Sequence, residues 1–188
     1  MINDILDLSK IEAGKIELEI TEVPLDQLVR DTLGLVGGVE QGEARRVGDV
    51  DVRGEVPVNV RPIRTDAGKL KQVLINLIGN ALKFTPEGGR ITVSAERDGR
   101  FVRVSVTDTG YGIAPEDIPK LFKKFQQVDL ARQKAVKFAG TGLGLSICKT
   151  VVEAHGGKIW AESEKGRGAS FKFTVPVSGM DAASGEGV

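Results

Sequence analysis

Cysteine, histidine, tryptophan and tyrosine occur once each among the 188 residues. A single cysteine excludes an intrachain disulfide framework and a metal site built from clustered thiolates. A single histidine excludes a His-rich metal centre and leaves any Ser-His-Asp mechanism hanging on His155 alone. Neither sign of charge dominates, since Lys+Arg 26 balance Asp+Glu 26. Nothing global therefore draws the chain onto nucleic acid or an anionic membrane, and no nucleic-acid partner is expected. No apolar run approaches the ~20 residues that a bilayer-crossing helix needs, and the N-terminus is unlike a signal peptide. The expectation is one good-sized domain with short flanks in a reducing cytoplasm, itself not inserted in a membrane. Glycine, by contrast, is abundant: 24 of 188 residues, roughly twice the usual ~7%.

Residues 2–12 carry Ile2, Ile5, Leu6 and Leu8 on a helical stripe with no N-cap before it, which predicts the tail of a longer helix. Ile16, Leu18 and Ile20 alternate with charged residues, as in a half-buried strand. A helix is expected over 24–36, a Gly-rich charged loop over 37–48, and short extended pieces around Val50–Val52 and 56–63. Asp66 is a suitable N-cap for a strong helix reaching Phe84. Two β-rich runs, 90–97 and 101–108, flank Asp98-Gly99 and predict an antiparallel hairpin. A short helix over 115–125, a basic loop over 126–141, a helix over 142–155 and strands over 158–163 and 169–175 complete the pattern, and 178–188 read as a polar tail. Tight hairpins stand where parallel crossovers would need a helix. The pattern therefore favours an α+β, two-layer sandwich: a mixed, mostly antiparallel sheet with helices on one face.

Within the helix at 66–84, Leu70, Val73, Leu74, Leu77, Ile78 and Ala81 share one side, while Asn76, Asn80 and Lys83 stack on another. Asparagine is a mediocre helix former, so two of them one turn apart gain nothing from propensity. An amide oxygen is a hard ligand suited to Mg²⁺, which keeps waters and phosphate oxygens in its shell, and a lysine one turn on would stand beside the same phosphates. On this helix alone, a solvated polar face explains the pattern equally well.

Asp108-Thr109-Gly110-Tyr111-Gly112 follows a strand, where a carboxylate can accept from an exocyclic amine and glycine lets backbone approach a flat ring. A β-turn explains that motif by itself. Gly140-Thr141-Gly142-Leu143-Gly144 leads into a helix, where successive amides and the helix dipole favour an anion. Three alternating glycines are costly there without such a use. The P-loop motif is absent, and Ile147 stands where the dinucleotide fingerprint needs its third glycine.

Together these segments resemble the catalytic, ATP-binding domain of bacterial sensor histidine kinases, within the gyrase/chaperone/histidine kinase/MutL ATPase superfamily. QVLINLIGNALKFTPEGG resembles the asparagine box, and VTDTGYGIAPEDIPKLFKKFQQVD the first glycine box with the phenylalanine box. KFAGTGLGLSICKTVVEAHGG resembles the second glycine box, and GRGASFKFTVP the last glycine strand. The match runs from about residue 16 to 177, and INDILDLSKIEAGKIELE resembles the end of the dimerisation and phosphoacceptor helix. The resemblance implies a Bergerat-type fold, a mixed five-stranded sheet with three helices on one face, preceded by a helix remnant. It divides the chain into that remnant (1–14), the catalytic domain (15–177, with an ATP lid at about 126–141) and a flexible tail (178–188).

By the same resemblance the ligands are ATP and Mg²⁺. Asn80 would bind the metal with Asn76 assisting, and Lys83 would contact phosphate. Asp108, with Ser170 through a water, would bind the adenine amine, and Gly110 and Gly112 would shape its pocket. Thr141, Gly142, Leu143 and Gly144 would hold phosphates through their amides, with Arg132, Lys134 and Lys137 as further contacts from the lid. In the superfamily's hydrolases a glutamate one turn before the metal asparagine is the general base; Asn76 stands there and cannot take a proton. Transfer is thereby favoured over hydrolysis. The expected reaction moves the γ-phosphoryl group to a histidine on a dimerisation domain outside this chain, then to an aspartate of a response-regulator receiver domain. No catalytic residue is therefore expected within the chain, which alone would not autophosphorylate. Any membrane anchor would lie upstream.

Two other classes remain at this point: a superfamily ATPase with a nucleotide-driven lid, and a nucleotide-binding scaffold without kinase activity. His155 reads as a helix-end residue rather than a phosphoacceptor, Cys148 as a small core residue, and Trp160 as packed on the sheet. Phe122 and Phe125 suit either a helix core or lid positioning and contact with the phosphoacceptor helix.

Overall fold

The computed structural model describes residues 17–37, 45–57, 62–126 and 142–177. The strands are β1 (Thr21–Val23), β2 (Arg45–Val47), β3 (Val50–Glu55), β4 (Ile63–Thr65), β5 (Arg90–Asp98), β6 (Phe101–Asp108), β7 (Ile159–Ser163) and β8 (Ala169–Pro176). Five of them build the expected mixed sheet in the order β3-β5-β6-β8-β7, and the three-residue β2 extends its edge. Among the described residues only the β3–β5 pairing is parallel. Strand alternation explains the layering. Val93, Val106 and Phe171 stand side by side in register across three strands and are buried, whereas their neighbours Thr92, Thr107 and Ser170 point to the other face.

Three helices cover the buried face: α1 (Leu25–Gly37), α2 (Ala67–Phe84) and α3 (Gly144–Ala154). α2 packs between the other two, and all six of its apolar-stripe residues are buried. Asp66 Oδ1 caps α2 by accepting from Lys69 N at 3.0 Å. The helix ends at Thr85 because Pro86 follows and pushes its predecessor into extended geometry. Among the described residues no helix is long and apolar enough to cross a membrane.

α2 and α3 are antiparallel neighbours, and His155 fastens one end of the pair. Its Nε2 accepts from Asp66 N at 3.0 Å, which places the ring proton on Nδ1, 2.7 Å from the Val151 carbonyl that receives it. Both ring nitrogens are therefore engaged, and neither offers a lone pair for phosphorylation. Asp66 also accepts from Glu19 N through Oδ2 at 3.2 Å, so the incoming chain meets the same cap.

Three elements differ from expectation. The early strand lies at 21–23 rather than 16–20, because pairing with β4 sets its position (Thr21↔Thr65, Val23↔Ile63); Ile20 is left exposed. The helix expected over 115–125 is only a 3-10 turn, Ile118–Lys120. Pro119 falls within that segment and lacks the N–H that a second turn requires. The loop expected over 37–48 contains β2 at its end. The expectations for 1–16, for the lid from 127 onward and for 178–188 fall outside the described residues.

The clasp makes a stability prediction. His155→Leu leaves Asp66 N without its acceptor and should lower unfolding stability by about 1–3 kcal/mol, as read by urea denaturation.

Candidate functional site

Asp108 ends β6 with its side chain on the helix-covered face, only 5% exposed. Its Oδ1 accepts from Gly110 N at 2.8 Å and Ala169 N at 3.3 Å. Burial pushes the carboxyl above its usual range, and the two amide bonds oppose that shift. Around it three backbone segments close in. Tyr111 N donates to Phe84 O at 3.2 Å, joining the first glycine motif to the end of α2. Gly112 has φ +66, and a Cβ there would lie 2.1 Å from Glu164 O. Gly168 has φ +81, and a Cβ there would lie 2.0 Å from Asp108 O. Only glycine fits either position.

At the other end, Asn76, Asn80 and Lys83 lie half-buried on one side of α2. Asn76 faces the head of α3: a Cβ on Gly144 would stand 3.6 Å from Asn76 Oδ1. Leu143 holds the cap position of α3, and its side chain carries no acceptor, so it does not cap the first-turn amides. That leaves a partly positive helix end beside the Asn76 amide oxygen, an arrangement suited to an anion with a hard cation. α2 contains no aspartate or glutamate along its whole length.

The predicted site residues fall into distinct groups. Asp108, Gly110 and Gly112 come together at the end of β6, and Asn76 and Gly144 meet where α2 faces α3. Lys83 Nζ lies 5.1 Å from the centroid of the Phe84 ring. Ser170 does not join Asp108. Strand alternation places it on the opposite face, where its hydroxyl shares a hydrogen bond with Thr107 at 2.8 Å. Ala169 occupies the inward position, and its amide donates directly to Asp108. Sequence reasoning missed this amide and Gly168. The alternation of Phe171, Phe173 and Val175 on β8, carried back two residues, was the signal for the first. Gly142 and Leu143 precede α3, whereas Arg132, Lys134, Lys137 and Thr141 lie outside the described residues.

The two phenylalanines part ways. Phe122 is half-buried and meets Phe171 edge-on, ring centroids 6.4 Å apart. Phe125 is 70% exposed, with φ 57. Its backbone abuts Gly142, where a Cβ would stand 3.2 Å from Phe125 Cα. The chain thus leaves and re-enters the described structure at one point.

Residues 65–179 match the family model described as histidine kinase-, DNA gyrase B- and HSP90-like ATPase. The circadian input-output histidine kinase CikA of Synechococcus elongatus is 40% identical over 178 residues, covering 94% of this chain and 23% of that protein. Full-length ShkA in complex with AMPPNP superposes with TM-score 0.78 at 33% identity, over 96% of this chain and 36% of that one. Histidine kinase ThkA is similar both as its catalytic domain (TM-score 0.68, 35% identity, 85% of this chain and 96% of that one) and in complex with response regulator protein TrrA (TM-score 0.66, 32% identity, 93% and 47%). The chain spans between 21% and 45% of the length of curated relatives of this kind.

The environment of Asp108 yields a pH-dependent expectation. A carboxyl whose folded pKa is raised favours the native state most at low pH, and that contribution is lost as pH rises through the folded value. Asp108→Asn keeps an Oδ1 acceptor for both amides and removes the charge. It should therefore unfold no more easily than the parent at neutral pH in urea titrations, with any advantage shrinking as the pH is lowered and the parent carboxyl protonates.

Proposed function

The chain belongs to the histidine kinase-, DNA gyrase B- and HSP90-like ATPase family as the ATP-binding catalytic domain of a two-component sensor histidine kinase, and from that premise we propose that it holds Mg-ATP for phosphoryl transfer to a histidine on a separate helical domain. The observation that carries this reading is the meeting of Asn76 Oδ1 with the head of α3, on a helix that bears no carboxylate. Asp108 would read the adenine amine through the oxygen not held by Gly110 and Ala169. Asn80 and Asn76 would hold magnesium through their amide oxygens, and the first amides of α3 would take the phosphate tail. Among the described residues no cluster of three His, Cys, Asp or Glu could hold a metal, so these carboxamides are the donors that fit, completed by phosphate and water. Magnesium, when bound, would offset charge on the phosphates.

In the transfer, a histidine ring nitrogen of the partner domain attacks the γ-phosphorus, and the bond to the β–γ bridging oxygen breaks, releasing ADP. This chain supplies no proton acceptor on α2 that could activate water instead. Its own His155 has both ring nitrogens engaged. The phosphoryl group would then pass to an aspartate of a response-regulator receiver, a proposal supported by the ThkA–TrrA complex. In this reading residues 15–177 form the catalytic domain, 1–14 end the phosphoacceptor helix, and the lid spans about 126–141. The need for ATP puts the domain in the cytoplasm, with any membrane anchor elsewhere in a longer kinase.

Mixing decides between transfer and hydrolysis. The purified chain with Mg-ATP should label a supplied phosphoacceptor domain with acid-labile phosphate while remaining unlabelled itself, and Asn80→Ala should abolish the transfer. Brisk phosphate release without labelling would assign the chain to the ATPases. ATP binding in calorimetry with neither labelling nor phosphate release would leave only a nucleotide-binding scaffold, and no heat at all would overturn the ATP reading.

A further inference from the structure

The turn between β7 and β8 ends at Gly168, which packs against Asp108. The peptide that follows has a different partner at each end. Its carbonyl, Gly168 O, accepts from Ser163 Oγ at 2.7 Å, and its amide, Ala169 N, donates to Asp108 Oδ1 at 3.3 Å. In a planar trans peptide the C=O and N–H point in opposite directions, so holding one aims the other. A glycine before that peptide does little to stop the plane from turning, because no Cβ restricts its dihedrals. Ser163 supplies the restraint.

Strand parity puts the serine in place. β7 and β8 pair with Ser163 opposite Ala169 and Ala161 opposite Phe171, on the helix-covered face that also carries Asp108. Its neighbour Glu162 faces the other way and meets Trp160 and Lys172. A hydroxyl has one proton to give and lone pairs to receive another. The Ser163 proton goes to Gly168 O, and its oxygen accepts from Ile113 N at 2.8 Å, just past the first glycine motif. Gly166 N donates to Tyr111 O at 2.7 Å and ties the same turn to the same loop. Of these hydrogen bonds, the one from Ser163 Oγ is made on the peptide that reaches Asp108.

We propose that Ser163 is a positioning residue for nucleobase recognition: it fixes the Gly168–Ala169 peptide against the first glycine motif, so that Ala169 N and Gly110 N together hold Asp108 Oδ1 and leave Oδ2 as the acceptor for a base amine. The positioning stands on this chain's own geometry. Its use, selecting a base with an exocyclic amine, rests on the function proposed above. Without the serine, Gly110 N alone holds the carboxylate, which can then turn about its Cβ–Cγ bond and present its second oxygen in more than one direction.

The test uses the whole chain with ATP and with inosine triphosphate, in which a carbonyl oxygen replaces the exocyclic amine while ribose and phosphates stay the same. In calorimetry with Mg²⁺, Ser163→Ala should weaken ATP binding about fivefold, the size of one net hydrogen bond, and leave inosine triphosphate within about twofold of the parent. Ser163→Thr keeps the hydroxyl on a residue suited to a strand and should restore the parent's preference for ATP. In nucleotide-free protein, the Ala169 amide should exchange faster with water in the alanine variant and recover in the threonine variant, with amides in the middle of β5 unchanged. Equal losses for the two nucleotides, a preference that threonine does not restore, or an Ala169 amide that does not respond overturns the proposal. A parent that binds the two nucleotides equally, or neither, overturns the reading of Asp108 as the base-amine acceptor and with it the selective use of Ser163. The Ala169 amide then still decides whether Ser163 fixes Asp108.

Discussion

The antiparallel contact between α2 and α3 is the constraint on which the rest of the molecule depends. In the proposed site α2 supplies the carboxamides and α3 a helix end, so that site would exist only while the two helices keep their relative position. Apolar burial supplies most of the adhesion, since the α2 stripe and the inner residues of α3 belong to one core. Adhesion of that kind is not directional. Direction comes from polar contacts: His155 on Asp66 at one end, and Cys148 on Val73 farther along. Each spends a buried polar group where an apolar one would pack, and each sets the pair's register along its length.

The sheet contributes a different device. A lone carboxylate on a buried face is unfavourable, and Asp108 is tolerable because two amides from separate segments converge on one of its oxygens. Those amides reach it only because glycine backbones pass within contact distance of Asp108 and Glu164 carbonyls. Part of the glycine surplus is thus a packing requirement. It lets three chain segments occupy a space that side chains would fill.

Legibility followed the range of the interactions involved. α2, its cap, its buried stripe and the β5–β6 hairpin are written in local periodicity, and the structure reproduces them within a residue or so. The early strand was misplaced because pairing with residues 63–65, some forty positions away, fixes it, and no local alternation reports that. The 115–125 segment suggests a short helix, but Pro119 within it confines the helical part to one 3-10 turn. Ser170 enters the expected site only through the family resemblance, whereas a strand residue's face is decided by parity. The Asn76–Gly144 approach and the hydrogen bond from Asp66 N to His155 join residues far apart in the chain, and no spacing rule foresees them.

The contact between Phe125 and Gly142 carries one more consequence. A stretch of polypeptide whose two ends already touch adds little conformational cost when it grows, because closure entropy rises only with the logarithm of length, about 0.6 kcal/mol per doubling. The body of the domain therefore does not dictate how many residues stand between those ends. Closure alone thus sets no preferred length at the Phe125–Gly142 junction, and the cost of a segment inserted there is that of its own ordering rather than of bringing its ends together.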